Sequence, residues 1–300
     1  MSVGSWVRGK PCSTVCFVSA PLVRESILQL ARRHARVDVL VTVKASPQPS
    51  SSYGDTVCVA GVLMEDQPRW IRLYPVPFRY LDGPQQFDKY APISVELHEA
   101  TQDRRPESAK INAANIQVGE VIPPWQGRAP WVEPLVTGTM CELVAGTRAN
   151  LNAASIGAIR PADVDSDLTF KAHPPWSAVQ AANLLAAESQ GELFGQRPPA
   201  LTPPRVKATL HYRCEAVGCP GHDQHIIDWE LTALQHRGAR LSEEDLKKSI
   251  TQRFMQQMFL AKTDPIIFVG NQAHVTRRAS FTVLGVYYPK RQPPPELALF

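Results

Sequence analysis

Residues 214–225 read CEAVGCPGHDQH, a stretch that places Cys214, Cys219, His222 and His225 in a C-x4-C-x2-H-x2-H pattern. Thiolates and imidazoles are the donors zinc prefers. Four of them close a tetrahedral structural site, whereas a catalytic zinc keeps one position for water. Gly218 and Gly221 would let the backbone fold around an ion. The expectation is one structural Zn2+ on these four residues. Two other readings stay open at this point. Three of the ligands plus a water, with Asp223, Asp228 or Glu230 as base, would make a catalytic centre. A plain hairpin turn with two half-buried thiols would make none.

A second constellation lies in PRWIRLYPVPFRYL, residues 68–81. Read as a strand over 70–74, it puts Trp70, Arg72 and Tyr74 on one face and Ile71 and Leu73 on the other. Together with Phe78, Arg79 and Tyr80 these interleaved aromatics and guanidiniums suit a single-strand binder, because bases stack on rings while arginine reaches phosphates. The competing reading packs Trp70 and Tyr74 into the seam with a second unit. Two loops add charge. QDRRPESAK carries Asp103, Arg104, Arg105 and Glu107, and GNQAHVTRRAS carries His274, Arg277 and Arg278 between two strands, where a basic hairpin can lie along a nucleic-acid backbone.

Several enzyme signatures are missing: GxxxxGK[ST], GxGxxG, GxSxG and HExxH do not occur. The functional expectation is therefore a non-enzymatic nucleic-acid-binding subunit of a bacterial DNA-maintenance or defence assembly, contacting DNA or RNA through Trp70, Arg72, Tyr74, Arg79, Arg277 and Arg278. The alternatives are a metal-dependent hydrolase or nuclease using His222, His225, Asp228 and Glu230, and a protein-interaction scaffold.

These residues need elements to hold them. Three hundred residues with 44% hydrophobic content can bury one large or two ordinary cores. The net charge of +4 implies no broad basic field, although arginine outnumbers lysine. No apolar run is long enough for a membrane helix, and the N-terminus lacks a signal-peptide core; a cytoplasmic protein with no membrane partner is expected. Six cysteines do not make a disulfide scaffold.

A short strand fits over 14–20, and β-branched alternation predicts strands over 37–45, 56–64, 70–74 and 93–100, and later over 205–214, 265–271 and 280–288. Helices are expected over 21–34, over 176–188 and, most clearly, after Ser242, where acids fill the first turn and Leu246, Ile250, Phe254 and Met258 form a stripe. The fold class is mainly β with a few helices. Its expected parts are a basic N-terminal helical appendage (1–35), a first OB-like or Greek-key β-barrel (36–146), a second β-rich barrel unit carrying the zinc loop and long helix (147–290), and a tail (291–300).

The strings YGDTVCVAGVLMEDQPRWIRLYPVPF, ASIGAIRPADVDSDLTF and HYRCEAVGCPGHDQHIIDWEL together resemble bacterial proteins of uncharacterised function built from two OB-like barrels. In these a CVAG…WIR hairpin opens the first barrel and an LG…IRP segment leads into the second. The resemblance implies an architecture over about residues 37–289 and, by analogy of fold, oligonucleotide binding; it transfers no functional residue.

Overall fold

The structure is a computed structural model that describes residues 25–51, 54–190 and 198–291. A strand expected over 14–20, the first residues of the helix expected over 21–34 and most of the tail lie outside these.

α1 (Ile27–Arg32) begins at a reciprocal cap, in which Ser26 Oγ accepts from Gln29 N and the Gln29 side chain accepts from Ser26 N. Its Ile27, Leu30 and Ala31 enter the same core as the strands that follow, so α1 packs against the first barrel. Those strands are β1 (Arg36–Lys44), β2 (Gln48–Ser50), β3 (Gly54–Leu63), β4 (Arg69–Val76), β5 (Pro92–His98), β6 (Ser108–Ile111) and β7 (Gln117–Val118). β1 pairs with β3, β3 with β4, β4 in parallel with β6, β6 with β5, and β5 returns to β1. Five strands thus close on themselves. A closed barrel with one parallel pair and no free edge is the OB-like arrangement. Val39, Val41, Val57, Val59, Ile71, Leu73, Ile93 and Val95 fill its interior.

After α2 (Ala129–Val132), α3 (Met140–Ala149) starts at Thr139, whose hydroxyl accepts from Glu142 N while the Glu142 carboxylate accepts from Thr139 N. The second half then forms two antiparallel sheets. One contains β8 (Ile156–Ile159), β13 (Ile266–Asn271) and β14 (Phe281–Tyr287); the other contains β9 (Pro161–Val164), β10 (Thr169–Ala172), β11 (Val206–Cys214) and β12 (His222–His225). A parallel bridge between Ile226 and Val283 links them. α4 (Ala178–Gln190), α5 (Trp229–Arg237) and α6 (Glu243–Thr251) complete the chain, α6 running on as a π-helical turn over Gln252–Gln256. Ser242 caps α6 as expected, and Leu246, Ile250, Phe254 and Met258 line the second core with Met140 of α3.

A third core joins the halves. Leu40, Ala60, Val62 and Trp70 on the outer face of the barrel pack against Ile156, Ile266, Phe268, Leu284 and Tyr287 of the β8–β13–β14 sheet. β3 and residues 70–73 of β4 are therefore buried on both faces, one toward the barrel interior and one toward the partner sheet, which is why the 56–64 window shows no clean alternation. Among the described residues no helix is long and apolar enough to cross a membrane.

Candidate metal centre and interdomain cleft

Of the four predicted ligands, three converge. Cys214 ends β11, Cys219 sits in the following turn and His222 opens β12. The turn uses positive φ at Gly218 (69°) and Gly221 (95°), where a side chain would be strained. The fourth ligand is Cys141, in the first turn of α3. Sγ of Cys214 lies 3.6 Å from Sγ of Cys141 and 3.6 Å from Sγ of Cys219, and Nε2 of His222 lies 3.6, 3.4 and 3.3 Å from Cys141, Cys214 and Cys219. A tetrahedral ion with Zn–S near 2.3 Å and Zn–N near 2.05 Å requires edges of about 3.8 Å between sulfurs and about 3.5 Å from sulfur to nitrogen. The five edges fit a single cation of that size. The donors form a Cys3His cluster able to hold a metal.

The thiols already share charge. Burial opposes ionisation of Cys214, but backbone hydrogen bonds and those from His222 and Cys219 bring its thiol down to about 6. Burial, followed by the neighbouring sulfurs, pushes Cys141 up to about 12.

His225 is not in the cluster. It lies three residues beyond His222 on a strand, so it faces the opposite way; it is exposed, and its Nδ1 is 2.8 Å from Thr209 Oγ1. Cys141 escaped the sequence reading because it lies 73 positions upstream of Cys214. A capping box, T-x-x-E over Thr139 to Glu142 with Cys141 inside it, was the available signal for α3.

The aromatic strand resolves in favour of the seam. Trp70 is buried with its ring 5.4 Å from Phe268 in an edge-to-face contact. Arg72 is 2% exposed; its Nη2 donates to the backbone oxygen of Ser155 at 3.1 Å, and Ser155 in turn donates through N and Oγ to the Glu107 carboxylate. Neither can stack on or reach a nucleic acid. Tyr74 remains exposed. Arg79 is held by Asp55 Oδ2 at 2.7 Å and by the Pro199 carbonyl. The two charged loops also meet at the seam. Arg105 Nη1 donates to Asn271 O at 2.5 Å, Asn271 Nδ2 donates to Arg278 O at 2.7 Å, and Arg278 is itself buried, its Nε donating to Ala273 O. Arg277 alone of that pair is exposed, with its Nη1 on Gln272 Oε1.

On another side of the junction a cleft of about 720 Å³ opens between the barrel and the second half. Its floor is an ion pair between halves: Lys89, just before β5, places Nζ 2.7 and 2.6 Å from the two carboxylate oxygens of Asp228 and 3.4 Å from Glu230. Asp228 is also the N-cap of α5, accepting from Glu230 N. Burial lowers Lys89, but Asp228 and Glu230 outweigh it and hold the amine above the usual lysine range. Burial pushes Asp228 above the usual carboxylate range although Lys89 opposes it. Glu230 is completed by Arg253, at 3.3 Å.

Rings and further guanidiniums line the walls. Trp125 lies 5.0 Å from Tyr288 between centroids, and the guanidinium of Arg128 stands 3.8 Å over the Tyr90 ring, its Nε donating to Ile122 O. Arg237 enters from the last turn of α5. Lys89, Trp125, Arg128, Arg237 and Arg253 were not singled out from the sequence, because four separate segments contribute them. His222, His225, Asp228 and Glu230, named for a hydrolytic centre, are divided among three places: the thiol cluster, the exposed face of β12 and the cleft.

No curated protein matches the chain. Residues 35–134 match a family model described as Domain of unknown function (DUF8758), which spans the barrel strands. Residues 136–300, more than half of the chain and including all four cluster ligands, match a second, and the chain belongs to the family described as Domain of unknown function (DUF8757).

Proposed function

We propose that this is a non-enzymatic recognition protein for unpaired nucleic acid, locked by one structural Zn2+ and taking its ligand in the interdomain cleft. The observation that carries the reading is the composition of the cleft. Trp125 and Tyr288 offer rings, and Arg128, Arg237 and Arg253 offer guanidiniums, within one cavity of a size that fits a small ligand. The pairing of aromatics with arginine expected on β4 is thus supplied from α5, the π-helical turn after α6, the segment before α2 and the residue after β14. The OB-like barrel supports the same reading by analogy of fold.

Zinc is favoured over other ions by three soft thiolates and one imidazole in tetrahedral arrangement. With four protein donors the site has no open position for water, so its role is structural. The centre ties α3 to the β11–β12 turn, and its loss would free both.

Fluorescence anisotropy of labelled single-stranded DNA and RNA, titrated with the zinc-loaded protein at rising salt, tests the reading. Binding should weaken steadily with salt, and Trp125→Ala should reduce affinity by about 1–3 kcal/mol. No binding at low salt, or wild-type affinity in Trp125→Ala, rejects it. One observation favours a second reading, a divalent-metal nuclease: Lys89 joins Asp228 and Glu230 in a carboxylate-lysine group. Cleavage of the same oligonucleotides on adding Mg2+ or Mn2+, absent in Glu230→Gln, would put that reading in place of the first.

A further inference from the structure

Which part of a nucleic acid the cleft would hold can be argued from its charge. Lys44 is spent on the Phe87 carbonyl and Asp88, Lys89 on Asp228 and Glu230, and Arg253 on Glu230 and the Tyr288 hydroxyl, at 3.2 Å. Two guanidiniums are left. Arg128 uses only Nε, on a backbone carbonyl, and among the described residues neither Arg128 nor Arg237 has a carboxylate partner. Two unpaired guanidiniums in one cavity call for two negative charges, and arginine is the side chain best matched to phosphate oxygens. A phosphodiester within a strand brings one charge; a terminal phosphomonoester brings nearly two at neutral pH. The rings of Trp125 and Tyr288 beside Arg128, whose guanidinium carbon is 6.0 Å from the Trp125 centroid, give a base its surface within reach of that charge.

We propose that the cleft holds a nucleotide bearing a terminal phosphomonoester, with its base against Trp125 and Tyr288 and its phosphate on Arg128 and Arg237. This rests on the cleft being the ligand site proposed above. The shared chemistry, an aromatic base with a dianionic phosphate, has two sources: the phosphorylated end of a strand, or a free nucleoside monophosphate.

Isothermal titration of the zinc-loaded full chain at fixed low salt separates them, using a short single strand with a 5′-phosphate, the same strand with a 3′-phosphate, the same strand with hydroxyl ends, a nucleoside 5′-monophosphate and inorganic phosphate. One phosphorylated strand should bind at least about tenfold tighter than the hydroxyl-ended strand, because the added charge is met by charge-assisted hydrogen bonds. The double variant Arg128→Gln with Arg237→Gln should lose that preference while still melting cooperatively and keeping its zinc. Equal affinity for all strands, with no binding of the monophosphate, overturns the phosphomonoester while leaving strand recognition in place. Binding of the monophosphate but of no strand keeps the phosphomonoester and removes strand recognition. Inorganic phosphate binding as tightly as the monophosphate removes the base, and a double variant that keeps the preference places the phosphate elsewhere; either result overturns the proposal. No binding by any probe rejects both.

Discussion

Cys141 Sγ lies 3.6 Å from Cys214 Sγ, although one opens a helix and the other ends a strand 73 positions later. That contact would make a metal bound by the cluster a tertiary link. A centre confined to the 214–225 turn would stabilise only a hairpin; one that includes Cys141 also fixes α3 against the second core, where Met140 is fully buried.

Ligand identity is therefore separable by substitution. Cys141→Ser should release zinc, measured by plasma emission and by a dye displacement titration, and should lower the melting temperature to that of the chelated protein. His225→Ala should keep one zinc per chain, since its imidazole is engaged with Thr209. The reverse pattern would return the site to the four ligands of the local motif.

Zinc affinity should also fall with pH in a definite direction. In the metal-free cluster Cys141 titrates at about 12 and Cys214 at about 6, so at neutral pH the first carries a proton that the metal must displace. Each proton released on binding weakens affinity about tenfold for every pH unit lowered. Competition with a chelator between pH 8 and pH 6 should show at least that slope. A flat profile would mean that Cys141 does not bind the metal as a thiolate.

Trp70 and Arg72 should behave as core residues. Trp70→Ala removes an indole packed on Phe268 and should destabilise by about 3–5 kcal/mol in chemical denaturation. Arg72→Ala leaves Ser155 O without its buried donor and should destabilise as well. Neither should alter the salt slope of nucleic-acid binding once folded protein is measured. A variant of normal stability that has lost binding would restore the strand as a contact surface.

The contrast between β4 and the cleft shows which parts of this molecule sequence reasoning can reach. The strands at 36–44, 54–63, 92–98, 206–214, 266–271 and 281–287 and the helix after Ser242 are written in local periodicity and caps, and these were legible. The faces of β4 were legible as well, but not what would cover them. An alternating strand looks the same beside water as beside another sheet, and here the β8–β13–β14 sheet occupies the polar-looking face and pairs its guanidinium with a backbone carbonyl. The metal turn was legible in its Cys214, Cys219 and His222, while the fourth donor required the tertiary placement of α3. In 222–225 the ambiguity was one of period: i and i+3 share a face on a helix but not on a strand. The cleft had no local signature, since Lys89, Arg128, Arg237 and Arg253 lie in segments that meet only when the halves pack.

Lys89 and Asp228 hold those halves together, and the pair should be strongly asymmetric to mutation. Lys89→Met leaves a buried carboxylate without its cation and should cost about 3–5 kcal/mol; Lys89→Met with Asp228→Leu should cost less than the single change, because no charge is then stranded. The pH profiles carry the sign. Lys89 titrates above its ordinary value in the folded chain, so its contribution is complete below about pH 10 and is lost as pH rises through the raised value. In Lys89→Met that alkaline limb should disappear. Asp228, already raised by burial, should rise further without the lysine, so the variant should lose stability progressively as pH climbs from about 4 toward neutrality. Thermal melts of both proteins from pH 4 to pH 11 decide it: profiles that run parallel throughout would mean that the two groups are solvated and that the cleft floor is not an ion pair.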